Sequence, residues 1–138
     1  MSKHSNLPDA EFDVMEIVWS QEPPISSVQI FNLASPEKKW KPQTVLTLLT
    51  RLVSRGFLHT EKKGKERFYS PIVTREAYLN RETGDFVKRF HRNSLMGLMN
   101  ALFSGGKPNK NDLDEIEQWL ETTRNADSPR NTNSTNGE

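Results

Sequence analysis

The 138-residue sequence contains no cysteine, which excludes both disulfide bonds and thiolate metal sites. Histidine is also scarce. Its three copies, His4, His59 and His91, lie far apart, and none has a second histidine at ligand spacing. His59 and Glu61 would share one face of a strand, but two ligands do not complete a metal site. We therefore expect neither a metal nor another cofactor.

Long apolar runs are absent as well. No segment approaches the roughly 20 apolar residues that a membrane-spanning helix needs. The N-terminal stretch MSKHSNLPDAEF lacks the apolar core of a signal peptide. No glycine-rich phosphate loop follows a predicted strand, and no GxSxG or HExxH motif occurs. These absences predict a cytoplasmic protein that has no membrane insertion and is not an enzyme.

Hydrophobic residues make up only 33% of the sequence, and the mean hydropathy is −0.76. Both values are low for a compact globule of this length. The length allows one compact domain with a core, or a small domain followed by an association segment. We therefore expect part of the chain to be a solvated tail or to be covered by a partner subunit, which favours a homo-oligomer.

The net charge of +1 conceals an uneven distribution of charged residues. Residues 38–70 contain nine Lys or Arg and two acids, a local charge of +7, whereas residues 112–121 contain five acids and no base. A basic segment of this size favours a polyanionic partner. The alternative is a lysine-rich surface that is simply solvated.

Prolines and capping residues predict three helices in the first part of the chain. The first begins beside Pro8 and ends at the prolines of SQEPP. The second is capped by Ser26 or Ser27, and the third runs from about Pro42 to Arg55. The apolar residues that the second helix offers for its buried side are Val28, Ile30, Phe31, Leu33 and Ala34.

The third helix has two faces of different chemistry when its residues are placed at about 100° intervals. One arc is apolar and contains Val45, Leu46, Leu48, Leu49, Leu52 and Val53; the other contains Gln43, Thr44, Thr47, Thr50, Arg51, Ser54 and Arg55. An ordinary exposed face would favour long charged helix formers, but this one has short hydroxyls, an amide and two arginines. Such side chains allow close approach to DNA and can bond phosphates and base edges. The alternative is a solvated face that happens to be rich in threonine.

Two short β-prone runs, FLHTE and RFYSPIV, follow the third helix. Gly64 lies between them and permits a tight reversal, so the pair predicts a β hairpin. The basic residues at its tip are Lys62, Lys63, Lys65 and Arg67. Three helices followed by a basic hairpin are the order of a winged helix-turn-helix domain, which is mainly α with a small β wing. We assign it to residues 1–73, with the third helix in the major groove and the hairpin along the neighbouring backbone.

Three stretches resemble one known family: LPDAEFDVMEIVW, WKPQTVLTLLTRLVSRGFL and RFYSPIVTREAYL. The sequence is similar here to the penicillinase repressor family, and the similarity runs from about Leu7 to Leu120. The resemblance implies a dimeric repressor that binds operator DNA of two-fold symmetry, upstream of genes often concerned with β-lactam resistance. It also implies that the residues presented to the groove are Lys41, Thr44, Thr47 and Arg51.

Residues 74–121 carry more apolar surface than one subunit easily covers, which predicts a helical dimerisation segment. They form either one long helix or two joined near Gly84, followed by a short helix that Asp112 caps. The expected dimerisation residues are Phe86, Phe90, Leu95, Leu98, Met99, Leu102, Phe103, Ile116, Trp119 and Leu120. The alternative is that these side chains pack back on their own winged domain. Residues 122–138 predict a disordered tail.

The family resemblance implies further that repression ends by proteolysis, through a membrane sensor with metalloprotease activity. Relatives are cut at an Asn-Phe bond near the end of the long helical segment, and this sequence has no Asn-Phe there. The corresponding region contains Asn100, Ala101, Leu102 and Phe103, which is the expected cleavage region. Copper-responsive relatives carry C-terminal cysteines, so this chain should not sense copper in that way.

The function expected from the sequence is therefore a homodimeric transcriptional repressor on a near-palindromic operator. One alternative is a ligand-sensing regulator whose C-terminal helices bind a small-molecule inducer. Another is a winged-helix module for protein interactions that does not bind DNA; the acid-free face of the third helix argues against it.

Overall fold

In the computed structural model, the backbone is described from residue 6 to residue 136 and the side chains to residue 126. Within this range, the helices and strands are, in chain order, α1 (Asp9–Trp19), β1 (Ile25–Ser26), α2 (Ser27–Ala34), α3 (Pro42–Ser54), β2 (Leu58–Lys63), β3 (Glu66–Pro71), α4 (Arg75–His91), α5 (Leu95–Leu102) and α6 (Lys110–Asn136). The chain divides into two compact units, and the division falls between Asn93 and Ser94. No helix in the described part of the chain is long and apolar enough to cross a membrane.

Local capping interactions fix the ends of α2 and α3. The Ser26 side chain accepts a hydrogen bond from the Gln29 N–H, and the Gln29 side chain accepts one from the Ser26 N–H, which forms a capping box. At the end of α3, Gly56 has a φ of 85°, and the N–H of Phe57 donates to the carbonyl of Leu52. This left-handed glycine turns the chain sharply and places the Phe57 ring in the core.

A three-stranded antiparallel sheet closes the first unit, in the order β1-β3-β2. Ile25 pairs with Tyr69, and Leu58 pairs with Pro71 near the base of the hairpin. At the tip Lys63 pairs with Glu66, which leaves a two-residue turn in which Gly64 has a φ of 66°. The predicted winged helix-turn-helix order of three helices and a hairpin is confirmed.

The core of the first unit lies between the three helices and the sheet. Its fully buried side chains come from every one of these elements: Val14, Met15, Val18, Ile25, Ile30, Val45, Leu49, Leu52, Phe57 and Leu58. Burial of an aliphatic or aromatic side chain of this size contributes roughly 1.5–3 kcal/mol. The sheet and helices are thereby held together, and the hairpin projects from a rigid base.

The first turns of α4 belong to the first unit, whereas the sequence places the domain boundary after residue 73. Tyr78 is buried against the core. The indole N–H of Trp19 donates to the Val73 carbonyl at 2.9 Å, and Arg75 donates two hydrogen bonds to Glu16, of 2.7 and 3.2 Å. These contacts attach the start of α4 to α1, so the compact unit extends to Asn93.

The helical segment after residue 74 breaks later than the sequence suggests. α4 continues through Gly84 to His91, and the next two residues, Arg92 and Asn93, have φ values of 51° and 63°. Two successive left-handed residues end the helix, and Asn tolerates this conformation better than most residues. Ser94 then caps α5 by accepting a hydrogen bond from the Gly97 N–H.

The second unit consists of α5, a loop and α6. Asn109 accepts a hydrogen bond from the Asp112 N–H at 2.7 Å and so caps α6, where the sequence predicts Asp112 as the cap. α6 continues to Asn136, whereas the sequence predicts a disordered tail from residue 122. A helix forms its hydrogen bonds within its own backbone, so it can continue beyond its last apolar stripe. Residues 137 and 138 lie outside the described residues.

Candidate nucleic-acid interface

The polar face of α3 is open to solvent in the first unit. Val45, Leu48, Leu49 and Leu52 are buried in the core and fix the rotation of the helix about its axis. Of the predicted contact residues on the opposite face, Gln43, Thr44, Thr50 and Arg51 are exposed and Thr47 is half-buried. Lys41 is the exposed residue just before the helix. The described part of the unit does not cover this face.

One of the threonines is partly occupied by the helix itself. The Thr50 hydroxyl donates a hydrogen bond of 2.9 Å to the Leu46 carbonyl, one turn earlier. Its proton is therefore unavailable to a ligand, although the oxygen still has accepting capacity. No such bond is made by Thr44 or Thr47 in the described chain, so these two hydroxyls can donate to a base edge or a phosphate.

The hairpin places four basic side chains at its exposed end, and they are Lys62, Lys63, Lys65 and Arg67. The Lys63 ammonium lies 5.7 Å from the centre of the Phe68 ring, and an Arg67 guanidinium nitrogen lies 3.4 Å from the Thr60 hydroxyl. These contacts orient the two side chains without neutralising them. The hairpin is anchored by Leu58 and Tyr69, which are buried.

Some basic residues of the segment 38–70 are committed to acids within the unit. Lys38 lies 2.7 Å from Asp13, whose carboxylate raises the pKa of Lys38 above its ordinary value through this hydrogen bond. Arg55 lies 3.7 Å from the buried Glu11. Their charges are locally balanced, which leaves seven of the nine cations of residues 38–70 without an ion pair to a described acid.

The basic residues that are predicted to contact DNA are not balanced in this way. No described acid forms an ion pair with any of these six residues: Lys41, Arg51, Lys62, Lys63, Lys65 and Arg67. Lys39 shares this property and is exposed, but sequence reasoning did not select it. Its position two residues before Lys41 is the sequence feature from which a contact by Lys39 could be predicted. Within residues 38–70, the cations that form no described ion pair lie on α3, in the loop before it and on the hairpin.

Three apolar side chains that the sequence predicts to be buried are exposed. The helical pattern places Leu46 on the buried arc of α3 and places Val28 and Leu33 on the buried side of α2, but they are 38%, 54% and 48% exposed. Leu46 lies about 100° around the helix from the fully buried Val45, at the margin of the apolar arc. Among the described residues, no neighbouring element extends far enough to cover that margin.

The predicted dimerisation residues fall in both units. In the first unit Phe86 and Phe90 are exposed on α4, and their ring centres are 4.9 Å apart. In the second unit Leu95, Leu102, Trp119 and Leu120 are exposed, whereas Leu98, Met99, Phe103 and Ile116 are half-buried. The structure brings five of them around one recess of about 400 Å³ between α5 and α6: Met99, Leu102, Phe103, Ile116 and Trp119.

The expected cleavage region lies at the end of α5. Asn100, Ala101 and Leu102 form its last exposed turn, and Phe103 follows as the half-buried C-terminal cap. A loop of about seven residues separates this point from α6. Helix ends fray more easily than helix centres, which makes this backbone accessible.

Metal-ligating side chains do not converge in the part of the chain that the structure describes. No group of three His, Cys, Asp or Glu residues with metal-binding geometry occurs there. His59 lies 3.6 Å from Glu61, and both are exposed. His4 lies outside the described residues.

The open α3 face and the basic hairpin, on this fold, define a winged-helix DNA-binding protein. The chain belongs to the penicillinase repressor family, whose profile matches residues 7–122. It is 26% identical over 125 residues to the penicillinase repressor of Bacillus licheniformis, which covers 91% of this chain and 97% of that protein. It is 24% identical over 119 residues to the methicillin resistance regulatory protein MecI of Staphylococcus aureus strain N315, and this alignment covers 86% of this chain and 96% of that protein.

A solved structure matches about half of the chain. The solution structure of the DNA-binding domain of the repressor BlaI is similar to it with a TM-score of 0.50 and a sequence identity of 31%. The match covers 56% of this chain and 94% of that domain. This likeness agrees with the winged helix-turn-helix order found in the first unit.

Proposed function

We propose that this protein is a transcriptional repressor that binds a near-palindromic operator as a homodimer. The observation that carries the proposal is the polar face of α3, which is uncovered, free of acids and adjacent to a hairpin with uncompensated positive charge. The names of the sequence relatives, a penicillinase repressor and a methicillin resistance regulator, support genes of β-lactam resistance as the regulated class. Binding to operator DNA would place the protein in the cytoplasm.

Recognition divides between two sets of residues. Gln43, Thr44, Thr47, Thr50 and Arg51 lie on α3 and contact base edges in the major groove, where each base pair presents a distinct pattern of donors, acceptors and methyl groups. The contacts to phosphates, which supply the salt-dependent part of the affinity, come from Lys41, Lys62, Lys63, Lys65 and Arg67.

Dimerisation is supported by the large apolar side chains that each unit leaves exposed. Phe86 and Phe90 in the first unit and Leu102, Trp119 and Leu120 in the second are exposed in the single chain. A two-fold dimer presents two α3 helices to major grooves one turn, or a small multiple of a turn, apart. The operator is then a near-palindrome because each half-site meets the same protein surface.

Selection of duplexes from randomised DNA by the full chain tests this proposal. The enriched sequences should share two inverted half-sites with a spacing near 10 base pairs or a multiple of it. Binding should also weaken steeply with salt, because several phosphate contacts release counterions. Enrichment of no common sequence would contradict the proposal, and so would a single half-site without symmetry.

Release from DNA follows from proteolysis in the region of Asn100, Ala101, Leu102 and Phe103, initiated by a membrane sensor with protease activity. The exposed last turn of α5 supports this region as the cleavage site. A cut there separates α6 from the rest of the chain and so weakens the dimer. Mass spectrometry of the protein from β-lactam-treated cells should find a fragment that ends between residues 100 and 103. An intact chain in derepressed cells would contradict this route.

The recess in the second unit favours a second candidate, a regulator that binds a small-molecule inducer. The recess has about 400 Å³ and is lined mainly by apolar side chains, which include Phe103, Ile116 and Trp119. Its size falls within the usual range of small-molecule sites. A metabolite that raises the melting temperature and dissociates the operator complex, with no fragment in induced cells, would establish this candidate instead.

A further inference from the structure

A shallow apolar recess lies beside the DNA-facing side of α3, at the junction with the start of α2. It has a volume of about 260 Å³ and is lined by Ser27, Val28, Phe31, Pro42, Val45 and Leu46. Leu46 and Val28 form its exposed walls, with 38% and 54% of their surfaces accessible. The basic surface favours a polyanionic ligand, and the apolar side chains favour contact with an apolar group. A ligand that satisfies both is a polyanion that carries apolar groups.

Thr50 extends this apolar edge by one helical turn. It follows Leu46 by four residues and therefore lies on the same side of α3. The Thr50 hydroxyl donates to the Leu46 carbonyl, so the methyl group is the part of this side chain that makes no polar contact. Leu46 and Thr50 together form a narrow apolar strip, which we call the methyl edge.

The two margins of the α3 contact face thus differ in chemistry. Arg51 lies five residues after Leu46, about 140° around the helix, and provides a guanidinium where the methyl edge provides alkyl groups. Gln43 and Thr47 lie between these two margins. A helix with this asymmetry can bind the major groove in one orientation only, because its hydrogen-bond donors and its alkyl groups then face different base pairs.

The major groove of DNA contains one apolar feature, the C5-methyl group of thymine. A protein surface is a poorer match to the methyl edge, because exposed Lys39 and Lys41 just before α3 favour a negatively charged partner. The recess also lies next to the side chains that the proposed function assigns to base contacts. Its occupant should therefore belong to the same duplex.

We infer that Leu46 is a specificity-determining residue, which contacts the C5-methyl group of one thymine in each half-site. This inference rests on the proposed function, because it requires α3 to lie in the major groove. It adds a contact by a side chain that the sequence pattern assigns to the core. The neighbouring recess between α2 and α3 gives the methyl group space.

Replacement of thymine by deoxyuridine tests the inference, because it removes the methyl group and leaves base pairing unchanged. Each thymine of the best duplex selected by the full chain is replaced in turn, symmetrically in both half-sites. One position should weaken binding by the wild-type protein, by about fourfold for each half-site, which corresponds to one buried methyl group. The Leu46→Ala variant should bind the duplex with thymine and the duplex with deoxyuridine at that position with equal affinity.

Leu33→Ala is the matched control, since it truncates another exposed leucine, on α2 and outside the recess. It should retain the full difference between thymine and deoxyuridine. Circular dichroism and thermal unfolding of Leu46→Ala show whether the variant keeps its fold; because Leu46 is exposed, the melting temperature should change little.

Three outcomes would overturn the inference. Wild-type protein could bind the selected duplex with no sensitive thymine, or Leu46→Ala could keep the sensitivity, in which case another group reads the methyl. Leu46→Ala could instead weaken self-association of the DNA-free protein, which would make the recess an interface between copies. Failure of the proposed function looks different, because wild-type protein then selects either no common sequence or a single half-site without symmetry.

Discussion

The backbone N–H of Leu7 donates a hydrogen bond of 2.8 Å to the hydroxyl of Tyr78, which lies 71 residues later in the chain. Tyr78 is only 5% exposed, and its ring centre lies 5.6 to 6.0 Å from those of Phe12, Trp19 and Phe57. The bond joins the segment before α1 to the first turn of α4. The start of α4 is therefore part of the core that holds α3 and the hairpin.

Tyr78→Phe should lower the free energy of unfolding by about 1–3 kcal/mol. The substitution keeps the ring and its aromatic contacts but leaves the buried Leu7 N–H without its acceptor. Urea unfolding followed by circular dichroism measures this change. The slope of the unfolding free energy against urea concentration should stay the same. A variant as stable as the wild type would show that the hydrogen bond contributes nothing to the fold.

The free energy of unfolding should also change with pH in the alkaline range, because Tyr78 titrates there. Burial raises the pKa of Tyr78 above its ordinary value, against the opposing effects of the Leu7 hydrogen bond and Arg55. The folded chain then keeps the phenol proton to a higher pH than the unfolded chain does. This contribution is complete below about pH 10 and is lost as the pH rises through the folded pKa. The stability difference between wild type and Tyr78→Phe should therefore narrow above pH 10, whereas a constant difference would contradict the shift.

Alanine at Lys62, Lys63 and Lys65 should weaken binding to all duplexes by the same factor. These side chains lie on the exposed hairpin and contact phosphates in the proposed function. Three lost phosphate contacts should reduce the slope of log affinity against log salt by roughly three. Alanine at Lys107 and Lys110, in the second unit, is the control. Loss confined to the selected duplex would show that the hairpin reads bases instead.

Trp119→Ala should weaken the dimer by about 30-fold or more, as expected for a large aromatic residue at the centre of an interface. Trp119 is 59% exposed in the single chain and lines the apolar recess of the second unit. Sedimentation equilibrium measures the dimer constant, and Gln118→Ala, at the neighbouring exposed position, is the control. An unchanged dimer constant would place the interface elsewhere.

The buried and polar sides of α3 could be predicted from the sequence because four leucine or valine residues recur at helical spacing. Val45, Leu48, Leu49 and Leu52 are all buried, as that spacing requires. The hairpin could be predicted from Gly64 and its β-prone flanks, since a two-residue turn needs a left-handed residue. These features depend on local geometry, which the sequence determines directly.

Other features depend on which elements meet in space. Periodicity places Leu46 and Val28 on apolar arcs, but burial at the margin of an arc depends on the reach of the neighbouring element. The break at Arg92 and Asn93 could not be predicted, because left-handed residues other than glycine leave little signal in the sequence. The pairing of Lys38 with Asp13 is likewise a tertiary contact, invisible to a count of charges.

The central claim is that α3 reads bases, and Arg51 tests it most directly. Its guanidinium is exposed on the polar face, and no described acid forms an ion pair with it. A bidentate contact to guanine contributes about 1–3 kcal/mol of discrimination, and lysine cannot reproduce its fork geometry.

The decisive measurement is the affinity of wild type, Arg51→Ala and Arg51→Lys for the selected duplex and for a random duplex of the same length. Arg51→Ala should lose about 1–3 kcal/mol on the selected duplex and very little on the random one. Arg51→Lys should lose specific affinity but keep the salt dependence. Equal losses on the two duplexes would contradict the claim that this face of α3 recognises sequence.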